Sequence, residues 1–288
     1  MVDGSKLIGL VVENRFEVQS LLGEGGMATV YKAEHKAVDL FVAIKILNAH
    51  SDMSATDIER LKREARALNT LFHPNIVKVY SFGFLDTGEP YLVLDFLAGK
   101  SLDDMITAGE LPPLKWSVEA FMQICRGLTC AHQGGLIHRD LKPSNVMIVS
   151  RDEDGAFVKI LDFGIAKTSM PQDKEQKLTR KGEIFGSPLY ISPEQISNKE
   201  IDKRADIYSL GCLMYETLSG QPPLMGDTVI QTLMKHMQDT PEPISTRTVP
   251  AELEAIIFKC MEKRPEDRYQ DTQEIENDLK KIWQSLPD

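Results

Sequence analysis

The hydrophobic pattern changes once along the chain, near Gly99, and that change most limits what the chain can fold into. Before it, short β-branched runs alternate with turns; after it, apolar residues recur every three or four positions. Strands are predicted at Phe16–Leu22, Thr29–Ala33, Leu40–Leu47, Ile76–Phe82 and Tyr91–Phe96. One helix interrupts them, roughly Asp57 to Leu71, carrying Ile58, Leu61, Ala65, Leu68 and Leu71 at helical spacing. His73-Pro74-Asn75 ends it, because a residue before proline resists the helical region. One helix among five strands describes an antiparallel-sheet lobe.

Two charges sit where an amphipathic pattern would not place them. Period-two alternation puts Phe41, Ala43 and Lys45 on one strand face, with Leu40, Val42, Ile44 and Ile46 on the other. Glu64 falls on the apolar stripe of the helix, three after Leu61 and four before Leu68. Burying an unpaired carboxylate is costly, so Lys45 and Glu64 suggest each other as partners.

The turn Gly23-Glu24-Gly25-Gly26 separates the first two strands. Glycines allow positive φ and close approach of a ligand, and freed N–H groups in such a turn cradle phosphates. Taken alone, the turn is weak evidence for phosphate binding and reads more readily as a hairpin with spare glycines. A dinucleotide fold is disfavoured because a strand, not a helix, follows it.

Beyond Gly99, Val118, Phe121, Cys125, Leu128 and His132 mark a helix from Trp116 to His132. The run His138-Arg139-Asp140-Leu141-Lys142-Pro143-Ser144-Asn145 crowds four ionisable groups and an amide between two apolar stretches. Val146–Val149 and Val158–Leu161 resemble a hairpin closed by Asp162-Phe163-Gly164. Residues 167–185 are polar and aperiodic, the pattern of a mobile loop, and from Asp202 the chain turns mostly helical, with Asp206 leading into Ile207–Leu218.

Composition narrows the function classes. The 288 residues are 42% hydrophobic and 26% charged, enough for a real core. Lys+Arg 33 against Asp+Glu 43 gives a net charge of −10, which argues against a nucleic-acid coat or a polybasic membrane anchor. Cys125, Cys130, Cys212 and Cys260 form no C-x-x-C pair, so four buried thiols in a reducing compartment are expected. No stretch approaches the ~18 apolar residues of a membrane helix. The start, Met1 to Arg15, has neither the layout of a signal peptide nor a myristoylation start.

From about Arg15 to Trp283 the chain resembles eukaryotic-type protein kinases, most closely the bacterial serine/threonine branch. The ordered motifs are GEGGMATVY at 23–31, VAIK at 42–45, REA at 63–65, HRDLKPSN at 138–145, DFG at 162–164, GSPLYISPEQ at 186–195, DIYSLG at 206–211 and RPEDRY at 264–269. The resemblance implies a bilobal α+β fold: a flank at 1–12, an N-lobe at 13–97 with a five-stranded antiparallel sheet, a mostly helical C-lobe at 98–284, and a flank at 285–288.

It also implies roles. Lys45 would hold the α- and β-phosphates of ATP, with Glu64 as its helix partner. Asp140 would accept the proton of the attacking hydroxyl, Lys142 would neutralise charge on the transferred phosphoryl, and Asn145 and Asp162 would hold Mg2+, with Mn2+ as a substitute. Leu22, Gly23, Gly25 and Gly26 would cover the phosphates; Val30, Ala43 and Met147 would sandwich adenine beside Leu94 and the hinge from Asp95 to Leu97. Leu68, Val79, His138 and Phe163 would stack as a column based on Asp206, and Glu194 with Arg268 would brace the C-lobe.

Arg139 precedes Asp140, as in kinases activated by loop phosphorylation; Thr179 is the first phosphosite candidate, and Glu183 could stand in for a phosphate. Ala28, Ser192 and Ser187 depart from the usual glycine, alanine and threonine; Ser187 keeps a hydroxyl that can bond Asp140 and Lys142 and position substrate. The resemblance therefore implies Mg-ATP-dependent phosphorylation of serine or threonine in protein substrates, with self-association for autophosphorylation. The implied location is cytoplasmic, alone or as the cytoplasmic part of a longer anchored protein. A nucleotide-binding scaffold without catalysis would have lost Lys45, Asp140 or Asp162, and a small-molecule kinase would lack the 186–195 segment.

Overall fold

The structure is a computed structural model and describes residues 7–26, 28–48, 55–150, 156–163, 188–244 and 249–287. It divides into two compact units, the first running to His73 and again from Val77 to Ala98, the second taking Pro74–Ile76 and the chain from Gly99 to Phe163 and from Pro188 on.

The first unit is an antiparallel sheet with one helix. Its strands are β1 (Val11–Val12), β2 (Phe16–Glu24), β3 (Ala28–His35), β4 (Phe41–Leu47), β5 (Val79–Phe84) and β6 (Pro90–Asp95), and α1 spans Ala55–Thr70. The order across the sheet is β1-β2-β3-β4-β6-β5. The two-residue β1 adds a sixth strand to the five predicted; a pair of residues is too short to carry a period. Alternation sends Phe16, Val18, Tyr31, Ala33, Val42, Ile44 and Val93 into one buried cluster. Each of the valine, isoleucine and phenylalanine side chains among them contributes roughly 1.5–3 kcal/mol. Leu61, Ala65 and Leu68 form the buried stripe of α1, which lies against β5.

The second unit is mainly helical. A small sheet, β7 (Gly99–Ser101), β8 (Val146–Ser150) and β9 (Ala156–Ile160), accompanies α2 (Leu102–Thr107), α3 (Leu114–Gln133), α4 (Pro193–Ile196), α5 (Arg204–Ser219), α6 (Val229–Gln238), α7 (Ala251–Cys260) and α8 (Thr272–Ser285). The predicted hairpin is β8–β9, with Val146 opposite Ile160. α5 is buried from Ala205 to Leu218, so it lacks the two-faced pattern of a surface helix. Gly211 lets α5 approach α7: a Cβ there would fall 2.8 Å from Cys260 Cβ. Three cysteines are buried, but Cys130, near the end of α3, is partly exposed, which corrects the expectation of four buried thiols. Burial pushes the Cys125, Cys212 and Cys260 thiols up. No helix among the described residues is long and apolar enough to cross a membrane.

Candidate active site

In the first unit, strand register gathers four of the candidate residues on one face. Val30 lies opposite Lys45 across β3–β4, and Ala43 lies opposite Leu94 across β4–β6. Directly opposed residues share a face, and so do residues two apart on a strand. Val30, Ala43, Lys45 and Leu94 are therefore a contiguous apolar patch around one ammonium, on the face opposite Val42 and Ile44. Ala43 and Leu94 are buried, and Lys45 is half-buried. Glu64, on α1, is half-buried as well, in keeping with a carboxylate on an otherwise apolar stripe.

The glycine turn differs from expectation. Gly23, Gly25 and Gly26 are exposed, and none has a positive φ. Their use is open space: a Cβ on Gly23 or Gly26 would find nothing within 4 Å. The Gly25 amide donates to the Ala28 carbonyl (2.9 Å), and Asn48 Nδ2 donates to the Gly25 carbonyl (2.9 Å). Leu22 is exposed near the end of β2, and Asp95, the last residue of β6, and Leu97 just beyond it are half-buried. The Asp95 carboxylate accepts the Tyr80 hydroxyl at 2.6 Å; burial and that bond push Tyr80 up to about 12.

In the second unit the chemistry-bearing groups converge through the backbone. Asp206, fully buried in α5, accepts the amide hydrogens of His138 (2.7 Å) and Arg139 (2.8 Å) and contacts His132 Nε2 at 2.8 Å. This holds Arg139 with φ 63, a left-handed conformation that costs a non-glycine residue free energy. Burial lowers the His138 pKa, so the ring is neutral. Its Nδ1 accepts from the Asp140 amide (3.3 Å) and its Nε2–H donates to the Leu161 carbonyl (2.7 Å). One imidazole thus ties the Asp140 loop to the strand leading into Asp162. The His138 and Phe163 rings lie 4.7 Å apart.

Asn145 and Asp162 flank the base of the β8–β9 hairpin, where the Leu161 amide donates to the Asn145 carbonyl (2.8 Å). Asn145 Nδ2 donates to the Asp140 carbonyl (2.8 Å), and Lys142 Nζ lies 3.6 Å from Asp140 Oδ2. An amide oxygen and a carboxylate are hard donors suited to a divalent cation. Among the described residues no three of His, Cys, Asp or Glu group as a metal site. Such an ion would complete its shell with water and phosphate, which fits Mg2+. Met147 is half-buried on β8.

Sequence reasoning missed several supports. Gln195 Nε2 donates to the Arg139 carbonyl (3.1 Å), the Tyr190 hydroxyl donates to Glu216, and Ser209 Oγ donates to the Tyr190 carbonyl (2.7 Å). Burial raises the Glu216 pKa. These pairs join residues 19 to 56 apart, which no local period reveals. Glu194 and Arg268 form a buried two-pronged ion pair at 2.8 and 2.9 Å. Thr179, Glu183, Ser187 and Gly164 lie outside the described residues.

Residues 16–280 match the protein kinase domain family, and the chain belongs to it. Members of that family use ATP and a divalent metal and act on proteins. The serine/threonine-protein kinase PknB of Mycobacterium tuberculosis is 36% identical over 282 residues, covering 96% of this chain and 44% of its own length. PknB of Mycolicibacterium smegmatis is 36% identical over 277 residues, covering 94% of this chain and 43% of its own. The chain thus spans under half the length of these relatives. The crystal structure of the Mycobacterium tuberculosis PknI kinase domain shares the fold, with a TM-score of 0.72 at 24% identity over 95% of this chain and 98% of that one.

Proposed function

We propose that the chain is the catalytic domain of a serine/threonine protein kinase. The observation that carries this reading is the placement of Asp140, Lys142, Asn145 and Asp162 around one hydrogen-bonded loop and hairpin base. A serine or threonine hydroxyl of a protein substrate attacks the γ-phosphorus of ATP, and the bond to the β–γ bridging oxygen breaks, leaving ADP. Asp140 orients the hydroxyl and takes its proton. Lys142 and Lys45 balance phosphate charge, with Glu64 holding Lys45. Asn145 and Asp162 would hold Mg2+, or Mn2+ in its place, which neutralises the phosphate oxygens. Leu22, Gly23, Gly25 and Gly26 would lie over the phosphates; Val30, Ala43, Leu94 and Met147 would hold adenine, and the backbone from Asp95 to Leu97 would read its edge.

Lysine two after the catalytic aspartate favours serine and threonine over tyrosine. Ser144, exposed beside Asn145, carries no carboxylate, so the enzyme has no strong demand for basic residues before the phospho-acceptor; an arginine preference on a peptide array would refute that. Autophosphorylation through self-association is part of this reading, with Thr179 as acceptor, Glu183 as a fixed anion and Ser187 positioning substrate. What supports it is Arg139, whose Nε is buried without a hydrogen-bond partner among the described residues and suits an incoming anion. A cytoplasmic location, alone or as the cytoplasmic part of a longer anchored protein, belongs to this reading.

Transfer of radiolabelled phosphate to a basic protein tests the reading. Asp162→Asn is expected to lower turnover at least about 10²–10³-fold with the melting temperature unchanged. More than a tenth of wild-type turnover would overturn it.

A further inference from the structure

Two lysines share the sheet face that carries Val30, Ala43 and Leu94. Across β3–β4, Val30 lies opposite Lys45 and Lys32 opposite Ala43. Lys32 and Lys45 therefore occupy diagonal positions, about 7–8 Å apart in an antiparallel pair. The proposed reaction uses Lys45 on phosphate and gives Lys32 no part. Lys32 is half-buried and makes no hydrogen bond or ion pair among the described residues. Its ammonium instead lies over two rings, 3.9 Å from the centroid of Phe41 and 4.9 Å from that of Phe96. The rings meet edge to face with centroids 6.3 Å apart. A half-buried cation held by two aromatic rings, with no carboxylate, is a specific contact and not a solvated charge.

What the contact joins gives it a use. Phe41 lies on β4, two residues before Ala43 and on the same face. Phe96 opens the connection between β6, which ends at Asp95, and β7, which begins at Gly99. Residues 96–98 have no strand pairing of their own. The Asp95 amide is fixed by the Lys78 carbonyl at 3.0 Å. Just beyond it, the Phe96 ring ties the connection to β3 and β4 through Lys32 and Phe41. We propose that Lys32 is a positioning residue for the nucleotide: it clamps the Phe96 ring and so fixes the backbone from Asp95 to Leu97 in the form that reads the edge of the base. This rests on the kinase reading, in which that backbone meets adenine. A segment set before the ligand arrives costs less to order on binding. Apparent affinity falls by the fraction of molecules in which the segment is set. Lys32 acts through Phe96 and touches neither phosphate nor base.

Steady-state transfer of radiolabelled phosphate, with calorimetric titration by ADP, tests the clamp. Lys32→Met keeps the length of the side chain and removes its charge. It is expected to raise the KM for ATP and the Kd for ADP about three- to tenfold, the scale of one partly buried cation–π contact, with kcat within about twofold of wild type. Lys32→Arg keeps a charge that stacks on rings, and is expected to hold both values near wild type. Phe96→Leu is expected to match Lys32→Met, and the double variant to be no worse than either alone. Base selection gives a second readout. Inosine triphosphate reverses donor and acceptor along the base edge, and the preference for ATP over it is expected to narrow in Lys32→Met. Lys259→Met breaks a contact of the same 3.9 Å length, over Tyr269 in the second unit, and is expected to change neither readout. Unchanged KM and Kd in an active Lys32→Met chain, an unchanged preference for ATP, an equal effect of Lys259→Met, or additive losses in the double variant would each overturn the clamp. A wild-type chain that binds ADP but transfers no phosphate would overturn the kinase reading instead, and the ADP titrations would still read the clamp.

Discussion

The carboxylate of Asp206 binds the backbone amide of His138 at 2.7 Å from the first turn of the buried helix α5. The same carboxylate takes the Arg139 amide at 2.8 Å, so two donors of the Asp140 loop depend on one side chain from a rigid element. Asp206→Ala strands both amides in a dry site, at a cost of about 1–3 kcal/mol for each donor left unsatisfied. Asp206→Asn keeps one acceptor oxygen and is expected to lie between. Urea midpoints should fall in the order wild type, Asn, Ala. Turnover should fall in the same order, because Arg139 loses the bond that offsets its left-handed backbone.

Glu194 and Arg268 give a different kind of test. Both are almost fully buried, and Arg268 also donates to the backbone carbonyls of Glu262, Lys263 and Arg204. Removing one partner leaves an uncompensated buried charge, which typically costs about 3–5 kcal/mol. Arg268→Leu is expected to be worse than Glu194→Gln, since it orphans three carbonyls as well as the carboxylate. The double variant Glu194→Leu with Arg268→Leu should cost less than the sum of Glu194→Leu and Arg268→Leu measured alone. Additive losses in denaturant melts would mean the two side chains act independently.

The legible parts of the molecule were those with a short repeat. Period two placed Lys45 with Ala43, and the register of β3, β4 and β6 then brought Val30 and Leu94 to the same face. Helical spacing found Leu61, Ala65 and Leu68 but not β7, whose three residues Gly99–Ser101 pair with a strand nearly fifty positions on. Asp206, Glu194 and Arg268 were visible only through motif resemblance, because burial of a charge breaks the polar-out rule that patterning depends on. Gln195 and Glu216 escaped altogether: their partners, the Arg139 carbonyl and the Tyr190 hydroxyl, are brought near by tertiary folding. The glycine turn was found, but for a different physical reason than positive φ.

Lys45→Met tests how charge is used on the β4 face. Methionine keeps the length of the side chain and its packing beside Ala43 and Val30, and removes only the ammonium. Phosphoryl transfer is expected to fall about a hundredfold or more, with a smaller loss of ATP affinity, as read by steady-state kinetics and calorimetric titration. A large loss of affinity with unchanged turnover would assign Lys45 to ground-state anchoring alone.

The last prediction concerns acid. His236 on α6 is fully buried, and its Nδ1 accepts the Tyr208 hydroxyl at 2.8 Å. Lys263 Nζ reaches the same hydroxyl at 3.4 Å, and Arg268 lies over the Tyr208 ring at 4.9 Å. Burial, and then the charge of Lys263, hold the His236 pKa down from 6.5 to about 4, against a weaker opposing pull from the Leu189 carbonyl. Between those values the unfolded chain binds a proton at this position and the folded chain does not. Its contribution is therefore complete above pH 6.5 and is lost as pH falls toward about 4. His236→Gln retains an acceptor for Tyr208 and does not titrate. It is expected to be less stable than wild type near neutral pH and to lose less on acidification, with slopes differing by up to about 1.4 kcal/mol per pH unit. Carboxylates that titrate in the same window are common to both proteins and cancel in the difference. Parallel stability curves over that range would mean that the imidazole is protonated in the fold with Lys263 beside it, and the buried Tyr208–His236 bond would then have to be drawn with the donor reversed.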